Sequence, residues 1–133
     1  MTNQFDYVVP QDTIKFFQKN GFATVENVID RPTIDAYTSI LKDMLAGKIS
    51  IEDCRDDMNG HKERSNPELE NCTQITNPNA LSKELDGCEF FSKGKIICDQ
   101  LYGVEKDFAM ENCQFLVKHP ETNIETPWHQ DVN

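Results

Sequence analysis

The sequence predicts an α+β chain with a helical front and a strand-like rear, and three observations carry that expectation. Apolar residues recur at three- and four-residue steps from Ile34 through Tyr37, Ile40, Leu41 and Met44 to Leu45, the spacing that lines one face of a helix. Further on the period changes to two, with Phe115 and Val117 facing one way and Gln114, Leu116 and Lys118 the other, as in a half-buried strand. Between these stretches residues 51–78 are polar and charged and rich in Asn, Gly and Pro. They are expected to form an irregular excursion with one short strand at 72–75.

In chain order, Asp12 can cap a helix over "TIKFFQKNGF", where Ile14 and Phe17 make an apolar stripe and Asn20-Gly21 a left-handed stop. "FATVENVI" then reads as a short strand. Asp30 caps a longer helix, "RPTIDAYTSILKDMLAG", with Pro32 in the first turn, where its missing N–H costs nothing, and Gly47 at the end. "NALSKELDG" and "CEFFSKGKIICDQLYG" both read as helical, the second closed by Gly103. "DFAMENCQFLVKHP" reads as a strand ended by Pro120, and after the turn-rich "ETNIETP" the stretch "WHQD" is extended, since Pro127 biases Thr126 away from helix.

Length and composition set bounds on function. The 133 residues, 38% of them hydrophobic, suit one modest domain with a buried core. A formal net charge of -10 repels phosphate backbones and anionic lipid, which argues against nucleic acid or membrane as partner. The same field would slow an anionic cosubstrate, so an enzyme using one needs a local cation. No apolar run approaches the roughly 20 residues of a membrane span, and "MTNQFDYVVPQD" lacks the basic and apolar regions of a signal peptide. A soluble cytoplasmic protein is expected. Cys54, Cys72, Cys88, Cys98 and Cys113 are odd in number and nowhere form C-x-x-C, so idle thiols are expected rather than a disulfide framework or zinc ribbon. The acids Glu52, Asp53, Asp56 and Asp57 lack the order of a calcium loop and read as a solvated face.

The chemistry-bearing pair is His129 and Asp131. In a strand, residues i and i+2 share a face with α-carbons roughly 6.6 Å apart, so imidazole and carboxylate can converge on one ion. Nitrogen plus carboxylate oxygen suits Fe(II), Mn(II) or Zn(II), and two histidines with one carboxylate suit iron. Taken alone the pair is one ligand short, and a surface histidine beside a solvated aspartate competes with it.

The order of elements resembles the phytanoyl-CoA dioxygenase family of Fe(II)- and 2-oxoglutarate-dependent oxygenases. "FFQKNGFATVENVID" is similar to that family's opening of helix, Asn-Gly-aromatic and strand; "LYG" resembles the end of its pre-barrel helix; "LVKHP" followed by "PWHQD" resembles its Lys-Pro strand and proximal metal motif. The resemblance implies one domain, with a helical front over 1–104 and the first strands of a double-stranded β-helix, or jelly roll, over 105–133. It further implies Fe(II) held by His129 and Asp131, and 2-oxoglutarate as cosubstrate. The reaction would be oxidative decarboxylation to succinate coupled to hydroxylation of a small organic or acyl substrate. Lys118 and Gln114 are the residues expected to meet 2-oxoglutarate, against the competing reading of Lys118 as a surface lysine. Trp128 is expected to point away from the metal and pack against the helices. The family's second histidine and following arginine have no counterpart before Asn133. The chain is therefore expected to be the front part of an incomplete jelly roll, inactive by itself. Neither His61 nor His119 occupies a family ligand position. Two other readings remain: a metal-free jelly-roll or helical module binding partners through its acidic surface, and a zinc or manganese cupin-like enzyme, which three histidines in the whole chain disfavour.

Overall fold

Helices form where apolar stripes and start signals coincide. In the computed structural model, which describes residues 7–58, 70–103, 112–120, 125 and 128–129, α1 spans Gln11–Asn20 and ends on Gly21 at φ 81, a left-handed stop that costs glycine nothing. It begins one residue before Asp12, which sits in the first turn instead of capping it. The second helix, α2, spans Arg31–Leu45, and the Asp30 side chain accepts from Thr33 N at 2.8 Å. Hydrogen bonds from Thr33, hydroxyl first and then backbone, hold the Asp30 carboxyl below its ordinary 3.8. That shift is the mark of a working N-cap.

Three strands follow the excursion pattern only in part. Cys72–Thr76 forms β2, as expected, and it is central: β1 (Arg55–Asp57) and β3 (Gln114–Lys118) each pair with it antiparallel. Nothing in "CRDD" favours a strand; β1 exists because β2 offers it a ladder. The α3 helix, Glu89–Tyr102, closes on Gly103 at φ 68.

Two expectations fail among the described residues. "FATVENVI" is no strand: Asn27 turns left-handed at φ 58, and Val25 and Val28 are used to cover α1 and α3. "NALSKELDG" makes one 3-10 turn, Pro78–Ala80, followed by turns, because Asn77 at φ 51 and Gly87 at φ 63 break the chain on either side of it. The strand expected over 107–118 is present as β3 at Gln114–Lys118, with Asn112 and Cys113 outside it and residues 107–111 outside the described residues.

Apolar residues gather in two clusters. One joins Met44, Ile51, Ile75 and Leu85, with Tyr37, Ile40, Leu41 and Phe115 against it, so α2 covers one face of the sheet. The other joins Val9, Ile97 and Leu101 with Ile14 and Phe17, so α1 lies against α3. Gln100 ties the leading segment down like a strand partner, accepting from Val9 N at 2.9 Å and donating to Tyr7 O at 2.8 Å. The structure is α+β, and no helix among the described residues is long and apolar enough to cross a membrane.

Candidate functional site

Register decides what the sheet displays. Asn77 N donates to Cys113 O at 2.7 Å and His119 N to Asn71 O at 3.1 Å, so the odd-numbered residues of β3 make the hydrogen-bonded pairs with β2. Cys72 with Lys118, Gln74 with Leu116 and Thr76 with Gln114 are then the closer pairs, about 4.5 Å between α-carbons. Their side chains emerge on the face opposite α2. Gln114, Leu116 and Lys118 are exposed there, while Phe115 and Val117 turn inward. Across the diagonal, Gln74 donates from Nε2 to Gln114 Oε1 at 2.6 Å. The outer face thus places a lysine and two linked amides side by side, with Asp56 opposite Gln74 on the far strand.

The inner face carries a polar network that sequence reasoning missed. Arg55 grips Glu70 with two nitrogens, Nε at 2.9 and 3.1 Å and Nη2 at 2.9 Å, a bidentate charge-assisted pair. Thr73, fully buried, donates its hydroxyl to Glu70 Oε2 at 2.6 Å and lies 3.1 Å from His119 Nε2. His119 was legible as an inward residue, since it shares the odd parity of Phe115 and Val117. Arg55 left no sequence signal, because its place depends on β1 pairing.

His129 is exposed and belongs to no strand, and Trp128 beside it is fully exposed instead of packing on the helices. Asp131 and His61 lie outside the described residues, so the H-x-D geometry does too. Among the described residues no three His, Cys, Asp or Glu side chains converge where they could hold a metal ion. As donors, the imidazole of His129 and the carboxylate of Asp131 remain the nitrogen and oxygen mix that fits Fe(II).

Family models, curated proteins and solved structures offer no match to this chain. The functional reading therefore rests on residues and geometry. All five cysteines are free and half-buried. Burial first, then Asp53 and Asp56, raises the Cys54 thiol, and burial followed by Cys88 raises Cys113. Neither is set up as a nucleophile, because a raised value leaves little thiolate at neutral pH.

Proposed function

We propose that this chain serves an Fe(II)/2-oxoglutarate-dependent dioxygenase that hydroxylates a small organic or acyl substrate, built on a jelly roll of the phytanoyl-CoA dioxygenase kind. The observation that carries the reading is the two-sidedness of the sheet. One face is covered by α2, and the other presents Lys118, Gln114 and Gln74 in the open. A jelly roll with helices outside would keep its reactive groups on that second face.

His129 and Asp131 are the residues that would hold iron, leaving positions for cosubstrate and oxygen. Bound iron would supply the oxygen chemistry. The chain's own residues bind and orient. Lys118 is the local cation that a chain of net charge -10 requires to attract a dicarboxylate. Gln114 spends its oxygen on Gln74, which directs its Nε2 as the donor end toward a ligand.

A test uses Mn(II) as a paramagnetic probe on the purified chain, which detects even a weak site. Selective broadening of the His129 ring, lost in Asp131→Ala, is the expected result. Equal broadening over the acidic surface, unchanged by the substitution, would discard the metal reading. A second reading, an acidic interaction module without metal, draws on the exposed pair Phe16 and Phe22, whose rings meet edge to face at 5.3 Å. That reading gains if Mn(II) shows no preference for His129.

A further inference from the structure

The hydroxyl of Thr73 has one proton and two close partners. Glu70, ionised in its bidentate grip on Arg55, can only accept, and at 2.6 Å it takes that proton. His119 Nε2, 3.1 Å from the same oxygen, must then be the donor. The inner face therefore dictates a tautomer: Nε2 of His119 carries hydrogen. The arrangement is also anchored in place. Thr73 is fully buried, and the Arg55 and Glu70 side chains are only 19% and 10% exposed.

The location gives the bond a consequence. Among the described residues β3 is an edge strand, five residues long, and Pro120 follows one residue after its last backbone bond, His119 N to Asn71 O. The N–H and C=O of Lys118 point away from β2, so its placement depends on its neighbours. Strand ends of this kind fray at little cost.

We propose that His119 is a positioning residue: through Nε2–H and Thr73 it clamps the end of β3 and so sets where Lys118 stands on the open face. Its bearing on cosubstrate binding rests on the reading that Lys118 meets 2-oxoglutarate. The clamp joins the two faces of the sheet, since a bond on the inner side determines the position of a cation on the outer side.

The test compares the purified 133-residue chain with His119→Ala, His119→Gln, His119→Asn and Thr73→Val by nitrogen-15 NMR, alone and with added 2-oxoglutarate. Gln reaches as far as Nε2 and can donate, whereas Asn is too short; Thr73→Val keeps the buried volume and removes the hydroxyl. The ring spectrum should show the Nε2–H tautomer in the native chain and lose that preference in Thr73→Val. Amide exchange at Val117 and His119 should quicken in the Ala and Asn variants and recover in Gln. Binding of 2-oxoglutarate should weaken about 3- to 10-fold in Ala and Asn, the worth of one hydrogen bond, and return in Gln. An Nδ1–H tautomer in the native chain, or equal exchange in all variants, overturns the clamp. A native chain with the expected tautomer and exchange but no response to 2-oxoglutarate supports the clamp and removes the cosubstrate reading of Lys118.

Discussion

Ile75 and Leu116 lie on adjacent strands, offset by one position, and point to opposite faces: Ile75 is fully buried, while Leu116 is 57% exposed. Truncating each to alanine should therefore give different results. Ile75→Ala opens a cavity under α2 and should cost about 2 to 5 kcal/mol. Leu116→Ala should change stability by less than about 0.5 kcal/mol. Urea denaturation of the two variants checks this, and equal losses would mean that the outer face is covered in solution.

Lys118→Ala should weaken 2-oxoglutarate binding about 10- to 100-fold, on the order of 1.4 to 2.8 kcal/mol, without altering Mn(II) broadening at His129. Lys118→Arg should retain most of the affinity. Unchanged 2-oxoglutarate affinity in the alanine variant would make Lys118 an ordinary surface lysine.

The 133-residue chain should bind Fe(II) weakly and release no succinate from 2-oxoglutarate. Two protein ligands leave an ion largely hydrated, and His119 has its Nε2 committed to Thr73. Succinate formation coupled to oxygen uptake would contradict this and point to His61 or a second copy of the chain as the source of another ligand.

Alkaline stability should depend on Tyr37. Burial, followed by the neighbouring Cys88 side chain, pushes its hydroxyl from the ordinary 10.0 up to about 12. The folded state thus prefers the neutral phenol, so this contribution is whole below pH 10.0 and is lost as pH rises toward about 12. Urea midpoints measured at about pH 9 and about pH 11 should fall further in the native chain than in Tyr37→Phe. Parallel declines would assign the alkaline loss to other groups.

Much of the local structure could be read from residues alone. The glycine stops of α1 and α3, the Asp30 cap of α2, the β2 segment and the alternation in β3 all depend on side-chain periodicity or on backbone conformations that only particular residues accept. Asp30 before Arg31-Pro32 and Gly103 after Tyr102 are signals within a turn of where they act. The same parity placed Lys118 and Gln114 together on one face, since alternation in a strand needs no knowledge of its partner.

What the sequence by itself determined is therefore local: most helix ends, the phase of β3, and the identities of the charged and imidazole side chains. The tertiary structure alone decided which phase faces α2, that Arg55–Asp57 becomes a strand, and that "FATVENVI" covers helices instead of joining a sheet. It also decided the meeting of Arg55, Glu70, Thr73 and His119. The reason is physical. A strand's ladder, a buried hydroxyl's proton and a bidentate ion pair exist only once a distant segment supplies the other half, and no pattern within one segment carries that partner's address.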